Sequence, residues 1–343
     1  MKAAVLYKVN DLRIEERPRP VPGPEEVLIR VKAVGVCGSD MHWYAEGHIG
    51  DNYVTEPLVL GHEAAGEVVE VGANVKGWQA GDRVALEPGL YCRRCDFCKR
   101  GDYNLCRDGV YQSSPGADGF FAEYVTMPWD KVFRLPDHLD WIEGAMIEPF
   151  VVGLMAARQG DVQAGQAVAI LGSGPIGLFT LQAALAYGAS NVIVTDVEDK
   201  RLAVAKELGA THIVNAARAS TADEIVRLTG GRGADVVFEA AGAVPTAQQS
   251  VYAVRRGGTI VLVGMFSQGS FTMDMIRIIR SQLTIRSVFR YANQYPVAIA
   301  LAGAGRVNLK LPVTHTFPLD QVKEALDFGI QHKDIAIKVA VTL

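Results

Sequence analysis

An apolar run, a patterned glycine loop and a second apolar run follow one another between Val168 and Tyr187, and this order limits the fold more than any other feature. Val168-Ala169-Ile170-Leu171 has the length and composition of a buried strand. The loop Gly172-Ser173-Gly174-Pro175-Ile176-Gly177 comes next, with Pro175 where a helix reaching Tyr187 would begin. Gly172, Gly174 and Gly177 suit a tight turn, close approach of a pyrophosphate, and helix–strand packing. Free N–H groups at the helix start, around Pro175 and Ile176, favour an anion there. Asp196 ends a second strand nineteen residues after Gly177. A carboxylate at that place accepts hydrogen bonds from ribose hydroxyls and repels a 2′-phosphate, which predicts NAD in preference to NADP. Arg201 would soften the preference if it turned toward a phosphate. The alternative for Asp196 is a solvated turn residue.

From about residue 151 the pattern alternates strand and helix. Strands are expected at 191–195, 211–215, 235–239, 259–263 and 283–288, and helices at 200–208, 221–229 and 245–256. Such alternation describes an α/β unit with a doubly wound parallel sheet over 151–289. Residues 1–150 carry short Val-rich runs punctuated by Gly and Pro, including 26–31, 67–72 and 81–84, and read as a β-rich, barrel-like unit. Residues 290–343 cannot close a core alone. They are expected to return to the first unit, with a strand over 333–341.

Charge excludes several function classes. The 343 residues hold 34 Lys and Arg against 38 Asp and Glu, a net charge of −4, and the basic residues are scattered. Neither nucleic acid nor an anionic membrane is an expected partner. The stretch from Ala164 to Gly188 approaches membrane-span length, but its glycines and Pro175 make it strand, turn and helix instead.

All five cysteines fit metal-ligand positions. Cys92, Cys95, Cys98 and Cys106 are spaced Cys-x2-Cys-x2-Cys-x7-Cys in a lobe over about 88–107, as a loop wrapped on one tetrahedral zinc would be. An iron–sulfur run of the bacterial kind would continue x3-Cys-Pro, whereas here the gap is seven and Arg107 follows. Four protein ligands make this zinc structural. The odd count of thiols points to a reducing cytoplasm rather than a disulfide framework.

The fifth, Cys37, stands in Gly35-Val36-Cys37-Gly38-Ser39-Asp40, with His62-Glu63 twenty-five residues on. Cys37, His62 and either Glu63 or Glu148 supply a thiolate, an imidazole and a carboxylate, and leave a fourth position for water or a substrate oxygen, as a catalytic zinc requires. Asp40 is placed to accept from a ligand imidazole. Ser39 and His42 offer a hydroxyl and a titratable ring for moving a proton to solvent.

Gly61-His62-Glu63-Ala64-Ala65-Gly66, with Gly72 and Val75, resembles the zinc signature of the medium-chain dehydrogenase/reductase superfamily. The resemblance spans the chain and is strongest to the polyol branch, the sorbitol and xylitol dehydrogenases, through Cys37–Asp40, Ile147-Glu148-Pro149 and Val288-Phe289-Arg290-Tyr291. It implies a GroES-like catalytic domain, a Rossmann domain, one catalytic and one structural zinc, and a dimer or tetramer. Cys37, His62 and Glu63 match metal ligands, Glu148 a carboxylate near the metal, and Ser39 and His42 the proton relay. Arg290 and Tyr291 match residues lining the substrate pocket, and Tyr44 and Tyr124 are expected to join them. Animal sorbitol dehydrogenases lack the structural zinc whose four cysteines this chain keeps. Gly38 stands where alcohol dehydrogenases commonly have Arg. The expected activity is oxidation of a polyol to a ketose with NAD. Threonine, butanediol and simple alcohol dehydrogenases are the nearest alternatives. A non-catalytic NAD-binding protein or a zinc-ribbon module is the more distant one.

Overall fold

The computed structural model describes residues 1–343. β-Branched residues crowd Glu26–Val36, and this stretch is the spine of a seven-stranded mixed sheet. Its neighbours on one side run outward as Glu63–Val71, Arg83–Leu86 and Val132–Arg134. On the other side its first half pairs with Tyr124–Pro128 and its second half with Lys338–Thr342, beyond which lies Val313–Pro318. A smaller sheet joins Asp11–Glu16, Lys2–Lys8 and Leu58–Val59. Ala4, Leu6, Val27, Ile29, Val34, Leu60, Val68, Phe121 and Val341 are buried in the core these sheets share.

This first unit comprises Met1–Glu148, Tyr295–Ala304 and Val313–Leu343. The second comprises Pro149–Gln294 and Gly305–Pro312. The divisions therefore fall at 148 and 294, not at 150 and 289, and residues 305–312 leave the returning segment. Their reason is polar: the Asn308 amide donates to Gln182 Oε1 at 2.6 Å, and Gln182 Nε2 donates back to the Asn308 carbonyl at 3.0 Å.

In the second unit six parallel strands lie in the order His212–Asn215, Asn191–Asp196, Ala167–Leu171, Ala234–Glu239, Val254–Leu262, Thr284–Ser287. Numbered along the chain this is 3-2-1-4-5-6, the doubly wound arrangement, which reverses direction at Ala167–Leu171. All five residues of that central strand are buried, as parallel strands covered on both faces must be. The helix Pro175–Ala186 follows with Pro175 in its first turn. The expected span 245–256 is wrong at its end. The helix stops at Ala253 and Val254–Arg256 open the next strand, because Gly257, at φ 68°, lets the chain bulge there and Val254 pair with Ala234. The last strand begins at 338 rather than 333, because the Ile335 and Ala336 amides both donate to the His332 carbonyl and close a turn.

No helix is long and apolar enough to cross a membrane. Ile193 is fully buried in the second strand of the parallel sheet. Ile193→Ala is expected to destabilise the protein by about 2–5 kcal/mol through lost burial and the cavity left behind, read by chemical denaturation.

Candidate active site

Cys37 ends the spine strand region and immediately precedes the helix Gly38–Glu46. Asp40, in the helix's first turn, is fully buried and gathers three separate segments. Its Oδ2 accepts from the Cys37 amide at 3.0 Å, and its Oδ1 from the Gly61 amide at 3.1 Å and the Ser113 hydroxyl at 2.7 Å. His62 Nδ1 faces the same Oδ1 at 3.4 Å, which leaves Nε2 as the nitrogen for a metal. Burial works against charge on both partners. Nevertheless Asp40 and then Cys37 raise the His62 pKa well above the usual histidine value. His62 and the hydrogen bonds from Cys37 and Ser113 in turn hold Asp40 below the usual carboxylate value.

Cys37, His62 and Glu63 each place a ligand atom within 4.8 Å of the others. Glu63 is 1% exposed. Its Oε1 accepts from Lys338 Nζ at 2.6 Å. Its Oε2 lies 2.5 Å from the same nitrogen, so the ammonium faces both oxygens. A buried carboxylate converging with a thiol and an imidazole is a donor set that fits a cation such as zinc. Gly35, paired with Glu63 across the strands, leaves the room: a Cβ there would sit 1.9 Å from Oε2.

Glu148 falls outside that trio. It is buried, accepts from the Tyr111 hydroxyl at 2.7 Å, and the Tyr111 ring stands 5.5 Å from the His62 ring. Lys338 itself is 2% exposed and also donates to the Val36 carbonyl at 2.9 Å. Burial opposes its charge, but Glu63, then Cys37 and more weakly Glu148, raise its pKa above the usual lysine value.

Ser39 and His42 lie three apart on the helix Gly38–Glu46, Ser39 half-buried and His42 exposed. His42 Nδ1 meets Glu46 Oε1 at 2.8 Å. The two tyrosines expected at a pocket are engaged elsewhere. Tyr44 points from the helix into the core and donates to Asp327 at 2.9 Å. The Tyr124 ring lies under the Arg19 and Arg30 guanidiniums, at 4.7 and 5.8 Å. In the second unit Tyr291 is fully buried, and Arg290, at φ 54°, lays its guanidinium over the Phe289 ring at 4.9 Å.

The four remaining cysteines also converge within 4.8 Å. Cys92 and Cys98 sulfurs are 3.9 Å apart, as are those of Cys95 and Cys106. A tetrahedron with Zn–S near ~2.3 Å has edges of roughly 3.8 Å, so the sulfurs fit one zinc. Backbone N–H groups of Arg94 and Cys95 bring the Cys92 thiol down to about 6. Burial pushes Cys98 up to about 12, a spread that one cation would remove. Lys131 fastens this lobe to the barrel strands: Nζ is 3.3 Å from buried Glu87 and 4.3 and 4.9 Å from the ring centres of Tyr103 and Tyr91.

At the nucleotide loop, Gly172 has φ 103° and Gly177 packs so closely that a Cβ would lie 1.9 Å from the Gly172 carbonyl oxygen. Gly174 caps the helix that Pro175 and Ile176 begin, and a Cβ on Gly174 would meet nothing within 4 Å, an open approach for phosphate. Asp196 Oδ2 accepts from both the amide and the hydroxyl of Ser173, at 2.7 and 2.9 Å, and its Oδ1 accepts from the Glu198 amide at 3.0 Å. Arg201 lies two residues into the helix that follows, Asp199–Glu207.

The family descriptions agree with both halves of this geometry. The alcohol dehydrogenase GroES-like domain matches residues 23–137, and the zinc-binding dehydrogenase family matches 175–304. The chain is 44% identical to the sorbitol dehydrogenase of Bacillus subtilis, over 99% of its own length and 97% of that protein's. This chain belongs to the polyol branch of the zinc-dependent medium-chain dehydrogenase/reductase superfamily. Among solved structures, an Escherichia coli oxidoreductase matches with a TM-score of 0.95 and 40% identity, covering 100% of this dehydrogenase and 99% of that chain. A zinc-binding dehydrogenase of Sinorhizobium meliloti bound to NADP matches with a TM-score of 0.91 and 32% identity, covering 100% and 99%.

Sequence reasoning missed Lys338, Tyr111, Ser113 and Ser173. Only Lys338 carried a usable signal, a lone charge inside the apolar run Ile335-Ala336-Ile337-Lys338-Val339-Ala340-Val341. Because Gly35 makes the space for Glu63, Gly35→Ala is expected to lower the dehydrogenase's bound zinc by about one equivalent per chain by elemental analysis; an unchanged content would contradict that role.

Proposed function

We propose that this dehydrogenase oxidises a secondary hydroxyl of a polyol of the sorbitol or xylitol type to a ketose, with hydride passed to NAD. The observation that carries this reading is the convergence of the Cys37 thiol, the His62 imidazole and the buried Glu63 carboxylate. Cys37, His62 and Glu63 would hold a catalytic zinc, with Glu148 close by through Tyr111, and Cys92, Cys95, Cys98 and Cys106 a structural one. Zinc at such a site lowers the pKa of a hydroxyl presented to it, and NAD accepts the hydride.

The chain's own residues then have separable tasks. Asp40 fixes the His62 ring and, through the Gly61 and Ser113 contacts, the loops around it. Ser39 accepts the hydroxyl proton at its Oγ while its own proton moves on toward His42, which passes it to water. The contact of His42 Nδ1 with Glu46 leaves Nε2 as the receiving nitrogen. Arg290 and Tyr291 are the substrate-pocket candidates, by their match to the family. A site made of such donors and acceptors favours several adjacent hydroxyls over an aliphatic alcohol.

NAD rather than NADP is inferred from Asp196, whose carboxylate Ser173 pins at the end of its strand. A homo-oligomer, dimer or tetramer, fits the exposed edge strand Thr284–Ser287 and the exposed Met275, Ile276 and Ile279 before it. The five free thiols suit the cytoplasm.

The reading is tested by turnover of sorbitol, xylitol, galactitol, threonine, butanediol and ethanol with NAD. The polyols are expected to lead by at least tenfold in kcat/KM, and no activity on any polyol would remove the proposed substrate class. Asp196→Ala is expected to raise the NADP-to-NAD ratio of kcat/KM by about tenfold or more, by removing a charge that repels the 2′-phosphate. An unchanged ratio would mean that another group makes the selection.

A further inference from the structure

Glu239, the last residue of the strand Ala234–Glu239, is completely buried. Its Oε1 accepts from the Ala241 amide at 3.1 Å, the Gly242 amide at 2.9 Å and the Thr246 hydroxyl at 2.6 Å, and the Ala243 amide approaches it at 3.5 Å. Oε2 lies 3.2 Å from the Gly242 amide as well. The loop that follows the strand is therefore curled around its own carboxylate. The packing leaves it no slack. A Cβ on Gly264 would lie 2.2 Å from the Gly242 nitrogen, and one on Gly172 would lie 2.8 Å from the Ala241 nitrogen. The Glu239 carbonyl also accepts from the Val263 and Gly264 amides, and the Ala240 amide donates to the Leu171 carbonyl.

A trans peptide unit points its N–H and C=O in opposite directions. With the Ala241 and Gly242 amides turned in to Glu239, the Ala240 and Ala241 carbonyls are turned out. Neither accepts a hydrogen bond from the protein, and Ala241 is exposed. The strand order says what would pass over them. Asp196 ends the strand on one side of Ala167–Leu171, and Glu239 ends the strand on the other. A dinucleotide with its adenosine ribose at Asp196 and its pyrophosphate at Gly174 would lay its other half across the ends of Ala234–Glu239 and Val254–Leu262. Resting on the NAD reading above, we propose that Glu239 is a positioning residue for the nicotinamide riboside, turning the Ala240 and Ala241 carbonyls outward to accept from its hydroxyl and carboxamide donors. The buried carboxylate has no water as an alternative partner, so the loop is set in advance and binding need not order it.

Glu239→Gln keeps the shape of the side chain and replaces one acceptor oxygen with a donor that opposes the loop amides. The full-length protein is titrated without substrate, by calorimetry and by the fluorescence of the bound nicotinamide ring. The variant is expected to bind NADH about tenfold more weakly, as the loss of one hydrogen bond to a charged group implies, with a smaller change in ring emission. ADP, which lacks the nicotinamide riboside, is expected to bind as it does to wild type. Thr246→Val is a milder change in the same cradle, removing one donor, and is expected to weaken NADH about threefold with ADP again unaffected. Equal weakening of NADH and ADP in a folded variant would overturn the proposal, since Glu239 would then merely support the end of the sheet. Unchanged NADH affinity in both variants would overturn it equally. Wild-type protein that binds neither NADH nor ADP would instead defeat the cofactor reading, and this proposal with it.

Discussion

The catalytic half of this molecule depends on one buried carboxylate. Asp40 has no access to water, and burying an ion without partners costs several kcal/mol. It is stabilised there by the Cys37 amide, the Gly61 amide, the Ser113 hydroxyl and the His62 ring, which belong to three separate segments. The helix start, the turn before the signature histidine and the loop beyond the cysteine lobe are thereby held to one point. The Cys37 thiol and the His62 imidazole come into register as a consequence of solvating that charge.

Around this point the site is a sequence of compensated charges. Glu63 is answered by Lys338, Glu148 is bonded by Tyr111, and Glu87 is answered by Lys131 under two tyrosine rings. Buried pairs of this kind add little net stability compared with apolar residues of the same size, but they fix geometry firmly because no partner has water as an alternative. The nucleotide half follows the same logic with weaker forces, since Asp196 is held by an amide and a hydroxyl of its own glycine loop.

The parts legible in the sequence were those encoded locally. Cys92 to Cys106 lie within one short loop, so their spacing alone implied convergence, and the strand–glycine–helix order at 167–186 announced the parallel sheet. The open site was legible only in its ligand types: nothing in the linear order says that Glu63 rather than Glu148 joins Cys37 and His62, since strand register decides it. Tyr44 and Tyr124 are expected at the pocket beside the residues that match the family, whereas one faces helix Val322–Gln331 through Asp327 and the other is covered by two guanidiniums. Lys338 was overlooked because its partner is 275 residues away.

The second unit is nearly continuous in the chain, whereas the first is interrupted by it and finished by the last residues. On the ribosome, therefore, Pro149–Gln294 emerges with all six strands of its sheet in hand and can fold as it appears. The earlier strands must wait, with the Glu63 carboxylate lacking its ammonium, until Lys338–Thr342 leaves the exit tunnel. Completion of the pocket around Cys37, His62 and Glu63 thereby follows synthesis of the whole second unit.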